Sequence, residues 1–193
     1  MRIYVVDNGG QWTHREWRVL RELGVDTKMI PNTTPFEEIE DLDGLILSGG
    51  APRIGLSSEK MGNNGEYLKK ARYPILGICA GHQFMSLVFG GDAQPSEVPE
   101  FGETQVFIDE HDDIFKGLPD SFIAWESHND EVTKLPDGFI SLAHSENCKV
   151  QAMKHEEKPL FGLQFHPEVN NTEHGKDIFA NFVEICREWR DGQ

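Results

Sequence analysis

A cysteine set between two glycines, Gly77-Ile78-Cys79-Ala80-Gly81, is the segment of this sequence best suited to covalent chemistry. An apolar run, Pro74–Ile78, leads into it and a short apolar helix is predicted to follow. Glycines two positions on either side permit a sharp strand-to-helix turn that a larger side chain would obstruct. Such a turn exposes the thiol at a helix N-terminus, where the helix dipole favours thiolate. A side-chain-bearing residue held there stores about 1–3 kcal/mol of strain, which function explains better than folding does. The plain alternative is a buried cysteine ending a strand, the ordinary fate of a free Cys. The paired glycines and the strand–helix context weigh against it.

A thiol nucleophile needs a base, and the base needs an orienting group. Among eight histidines, His166 has the best surroundings, in Leu163-Gln164-Phe165-His166-Pro167-Glu168. Residues two apart in an extended segment point the same way, so His166 and Glu168 are expected to leave a strand end together, with Pro167 limiting the backbone between them. Glu168 would hold one ring nitrogen and fix the tautomer while the other faces the thiol. Acyl transfer also needs amide donors for the oxyanion. Ala80, directly after the nucleophile, supplies one, and the glycine loop Ser48-Gly49-Gly50 can bring another close. His82 reads as a helix-surface or supporting residue. His14, His111, His144, His155 and His174 lack metal-ligand spacing, so no metal is expected. No phosphate-binding loop of the Walker type occurs, so ATP chemistry is not expected on this chain.

The elements that must position these residues can be read from the pattern. Arg2–Val6, Val25–Ile30, Gly44–Leu47 and Pro74–Ile78 read as strands. Helices are predicted after Thr13, which reads as a cap with Val19, Leu20 and Leu23 facing inward, over Glu66–Ala71, and over Gln83–Phe89. This alternation predicts a parallel sheet with helices on both faces, whose loops open at the carboxyl edge where sites form. The second half offers short β-like runs at Thr104–Ile108, Phe122–Trp125, Phe139–Ala143, Lys149–Met153 and Leu160–Phe165. A last helix carries Ile178, Phe182, Ile185 and Trp189 as an apolar stripe. With no repeat or linker, residues 1–193 read as a single α/β domain.

Composition narrows the class. The 193 residues carry 33 acidic and 18 basic side chains, a net charge of −15, whose field repels phosphate backbones and argues against nucleic-acid partners. No apolar run approaches the length of about 18 residues that a membrane span requires. The N-terminal apolar run ends at Asp7 and reads as a strand rather than a signal peptide. Cys79, Cys148 and Cys186 form no CxxC pair and leave one thiol over under any disulfide scheme. Together these features predict a reducing, cytoplasmic setting.

Taken together, Gly77-Ile78-Cys79-Ala80-Gly81-His82-Gln83, Phe165-His166-Pro167-Glu168 and Leu47-Ser48-Gly49-Gly50 resemble the motifs of the triad, or class I, glutamine amidotransferases, in the same order. The resemblance implies a flavodoxin-like fold, mostly parallel, with additional small β elements in the second half. It also implies that Cys79 attacks the glutamine carboxamide, that His166 shuttles protons and that Glu168 orients it. The Gly50 and Ala80 amides would form the oxyanion hole, Gln83 would touch glutamine, and the backbone of Asn129 and Asp130 would hold its amino-acid head. Asp7-Asn8-Gly9-Gly10-Gln11 and Ser127-His128-Asn129-Asp130 are similar to stretches of the subgroup of glutaminase subunits in two-subunit GMP synthetases, although Gly often stands where Asn129 does. That likeness implies a separate ATP-pyrophosphatase subunit, carrying ATP and Mg, that aminates xanthosine monophosphate; no cofactor is expected on this chain. Other expectations stay open: a glutaminase for anthranilate or imidazole-glycerol-phosphate synthesis, a stand-alone cysteine γ-glutamyl hydrolase, or a non-catalytic regulatory domain.

Overall fold

Alternation within the first strands decides the layering. In β1 (Ile3–Asn8), Ile3 and Val5 face one side and Val6 the other. In β3 (Gly44–Gly50), Ile46 faces the first side and Leu45 and Leu47 the second. Strands buried on both faces need helices on both, and the computed structural model, which describes residues 1–111 and 113–193, supplies them. Helices α1 (Thr13–Glu22) and α5 (Gly175–Asp191) place Leu20, Ile178, Phe179 and Phe182 in one core. Helices α3 (Asn64–Lys70) and α4 (Ala80–Val88) place Tyr67, Leu68 and Met85 in the other. A short helix, α2 (Ile54–Ser57), precedes them and had no counterpart in the sequence pattern.

One nine-stranded sheet joins the two halves. With β2 (Met29–Pro31), β4 (Ile75–Ile78), β5 (Asp92–Ile108), β6 (Ser121–Lys134), β7 (Phe139–His144), β8 (Ala152–His155) and β9 (Leu160–Leu163), the order is β2-β1-β3-β4-β9-β8-β7-β5-β6. The pairs from β2 through β9 are parallel; those from β9 onward to β6 are antiparallel. The strands of the second half therefore extend the same sheet.

Several boundaries differ from the sequence pattern. Strand β2 is three residues long, because polar Asp26–Lys28 meet β1 through only an isolated bridge and single backbone bonds. Thr13 is not the cap of α1; Trp12 occupies that position, and the Thr13 hydroxyl donates to Gly10 O. In α5 the buried face is Ile178, Phe179, Phe182, Val183 and Cys186, with Ile185 and Trp189 only partly covered. Strands β5 and β6 run far beyond their apolar cores, as a long antiparallel ribbon with a register shift between Pro95 and Glu100.

Candidate active site

Steric necessity shapes the turn after β4. A Cβ on Gly81 would collide with the carbonyl of Leu47, and one on Gly77 would lie 2.7 Å from the Gly81 backbone. Glycine at both positions lets α4 begin directly against β3 and β4. Cys79 takes the strain between them, with φ 50° and ψ −106°, one of two positive-φ residues other than glycine among the described residues. Its amide is tied to Leu163 O of β9 at 2.8 Å, so the elbow is anchored to the neighbouring strand. Its thiol borders two cavities of about 290 and 90 Å³.

The larger cavity holds the expected base. His166 Nδ1 meets Glu168 Oε1 at 2.6 Å, with both side chains buried. Strand β9 ends at Leu163, so the two do not project from an extended strand end as the spacing predicted. They sit in a turn closed by Val169 N to His166 O, and His166 N is pinned to Trp125 O. With Nδ1 committed to Glu168, the other ring nitrogen is left for Cys79. Burial opposes charge on His166, but Glu168 and Cys79 outweigh it and raise its pKa well above the ordinary value, which makes the imidazole a stronger base. The Trp12 ring packs edge-on at 4.7 Å from His166. Glu16 of α1, also lining this cavity and 1% exposed, was not foreseen. Burial, then the charge of Glu168, raises its pKa well above the usual carboxyl range.

The smaller cavity gathers Gly50, Ala80, Gln83, Asn129 and Asp130 beside Cys79. As the first residue of α4, Ala80 has an amide that no intrahelical carbonyl can accept, so it is available to an oxyanion. Gly50 belongs to the loop end of β3, which the Ser48 hydroxyl braces by donating to Gly49 O at 2.8 Å. Gln83 Nε2 donates to Asp130 O at 2.7 Å and to Gln164 Oε1 at 3.1 Å. Gln164, unnoticed in the sequence, in turn donates toward the Cys79 sulfur at 3.6 Å. Asp130 O is also met by His128 Nδ1 at 2.9 Å, so that carbonyl has two donors already.

The remaining candidates are quieter. His82 is fully buried against Gly162 rather than on the helix surface, and burial lowers its pKa to about 3, which keeps it neutral. His111, His144 and His174 pair with acidic neighbours at the surface. Among the described residues, Glu100, His128 and Cys148 bring potential metal-donor atoms within 4.8 Å of one another. These groups are already engaged: His128 Nε2 meets Glu100 Oε2 at 2.8 Å, and Ser145 and Gln151 donate to the same carboxylate. Burial pushes the Cys148 and Cys186 thiols upward, away from reactivity.

Known proteins resemble this chain in sequence and share its fold. The profile of the family described as "Glutamine amidotransferase class-I" matches residues 4–186. The A subunit of the glutamine-hydrolyzing GMP synthase of Thermoplasma volcanium is 52% identical over 191 residues, covering 99% of this chain and 95% of the relative. The crystal structure of a putative GMP synthase A-subunit protein from Thermoplasma acidophilum superposes with a TM-score of 0.95 at 53% identity, covering 99% of this chain and 96% of that one. A glutamine amidotransferase from Thermotoga maritima shares the fold, with a TM-score of 0.73 at 22% identity over 97% of this chain and 83% of its own.

Proposed function

The chain belongs to the class I glutamine amidotransferase family, and from that premise we infer that it is the glutaminase subunit of a GMP synthetase. The observation that carries the reading is the strained Cys79 elbow facing a buried His166–Glu168 pair across one cavity. His166 takes the thiol proton as Cys79 Sγ bonds to the carboxamide carbon of glutamine. The Gly50 and Ala80 amides hold the oxyanion. On collapse, the C–N bond breaks and His166 returns the proton to the departing nitrogen, releasing ammonia and leaving a γ-glutamyl thioester. Water, deprotonated by the same imidazole, then attacks the thioester; glutamate leaves and the thiol is restored. No step calls for a cofactor on this chain.

The ammonia passes to a separate ATP-pyrophosphatase subunit, which with ATP and Mg activates xanthosine monophosphate and forms GMP. Full-length similarity to relatives named as the A subunit of GMP synthase supports this partner. Among the described residues no helix is long and apolar enough to cross a membrane. Hydrolysis uncoupled from synthesis would waste glutamine, so the chain alone is expected to be slow. The loops at Gly9–Gly10 and Gly49–Gly50 border the thiol, and a tenfold activation needs only about 1.4 kcal/mol of differential binding. Glutaminase rates should be measured for the chain alone, with the partner, and with partner, ATP and xanthosine monophosphate. The expected order is rising, with GMP formed in the last. Equal rates throughout would reject partner gating and favour a stand-alone hydrolase.

A further inference from the structure

The smaller cavity is lined by an ion pair that the sequence did not suggest. Arg53, the residue before α2, donates from Nε to Asp130 Oδ2 at 2.8 Å and from Nη2 to Oδ1 at 2.5 Å. This planar fork occupies both carboxylate oxygens. The two partners differ in freedom: the side chain of Asp130 is 4% exposed and that of Arg53 43%. Asp130 is also fixed from behind, because its carbonyl is gripped by Gln83 and His128. That grip commits the carbonyl, so a ligand can reach Asp130 only through its carboxylate, once the Arg53 fork has opened.

The head of an α-amino acid is a zwitterion and needs one anion and one cation to receive it. Arg53 and Asp130 are one of each, in the same cavity as Cys79, Gly50 and Ala80. His128 also borders it, but both its ring nitrogens are committed to Asp130 O and Glu100. We propose that Arg53 is a specificity residue for glutamine: its guanidinium takes the α-carboxylate while the Asp130 carboxylate takes the α-ammonium. The substrate enters by exchanging one internal pair for two pairs of its own. Arg53, 43% exposed, is free to swing aside, and the incoming ammonium takes its place beside the buried Asp130 carboxylate, so no buried charge is left unpaired. The planar guanidinium suits a carboxylate in a way that a lysine ammonium does not. The assignment rests on the glutaminase reading above and deepens it.

The test compares wild type, Arg53→Gln and Arg53→Lys, each assembled with the partner subunit, on L-glutamine and on L-glutamine α-amide, whose carboxylate is replaced by a neutral amide. Arg53→Gln is expected to raise KM for glutamine about tenfold, the weight of one charge-assisted contact. KM should rise more than kcat falls. The wild-type preference for glutamine over the α-amide should collapse toward parity in Arg53→Gln and recover in part in Arg53→Lys. An unchanged KM with undiminished discrimination would overturn the assignment, and so would a lowered KM, which would make Arg53 a plug rather than a ligand. Wild type that fails to hydrolyse glutamine would instead overturn the glutaminase reading.

Discussion

Two buried histidine–glutamate pairs lie on either side of Cys79, and they are built from the same parts. His166 meets Glu168 at 2.6 Å, and His128 meets Glu100 at 2.8 Å. Each has a further buried carboxyl beside it: Glu16 for the first, and Glu126, 3.4 Å from His128, for the second. The difference lies in the other ring nitrogen. His166 keeps one for the thiol and a cavity, whereas His128 spends it on the carbonyl of Asp130. A proton shuttle needs a nitrogen free to gain and lose a proton at the reacting atoms; a histidine bonded on both sides is a brace. The pairing alone therefore does not identify the base. What identifies it is what the pairing leaves over.

The contrast is broken or sharpened most strongly by removing each ring in turn. His166→Ala is expected to lower kcat for glutamine hydrolysis by about 10²–10⁴-fold, the usual weight of an acid–base group. His128→Ala should act chiefly on the fold: Glu100 keeps its donors from Ser145 and Gln151 but loses the ring that pairs with it, at a cost of about 3–5 kcal/mol of stability, as broken buried pairs do. It should also raise KM, because Asp130 loses a support. Steady-state kinetics and urea unfolding of both variants check this. A fully active His166→Ala would transfer the shuttle to His128.

A smaller effect separates the flanking carboxyls from their partners. Burial raises the pKa of Glu16 and of Glu126 above the unfolded value near 4.3. Between that value and the folded one, the native state binds more protons than the unfolded state, so stability falls as pH rises through the window. Glu16→Gln and Glu126→Gln should each flatten the decline and stabilise the protein at neutral pH, on the order of 1–3 kcal/mol. Unfolding free energies at pH 5 and pH 8 measure it. An unaltered slope in both variants would show that these groups ionise freely.

The sequence made the catalytic side of this contrast far more legible than the bracing side. Gly77, Cys79 and Gly81 declare themselves because a tight turn tolerates few residue types, and His166 and Glu168 because they stand two apart beside a proline. Glu100 gave no such signal: it lies between Pro99 and Phe101 in a stretch whose two prolines and charges read as loop. Only pairing in register with His128 across β5 and β6 makes it an interior residue. The β6 alternation that buries Phe122 and Ala124 also buries Glu126, His128 and Asp130. There the inward face turns from apolar to charged, and hydropathy no longer marks it. Glu16 was masked in the same way by the charged residues around it on α1. Arg53 belongs to a loop whose partner lies 77 residues away, beyond the reach of any local pattern.

Every step of the proposed chemistry depends on Cys79 carrying the acyl group. Wild-type complex, quenched in acid during turnover with glutamine and digested, should yield a γ-glutamyl adduct on the peptide containing Cys79. The peptides of Cys148 and Cys186, whose thiols burial holds in the protonated form, should carry none. Steady hydrolysis of glutamine with no adduct at Cys79, or with the adduct at another cysteine, would contradict that assignment.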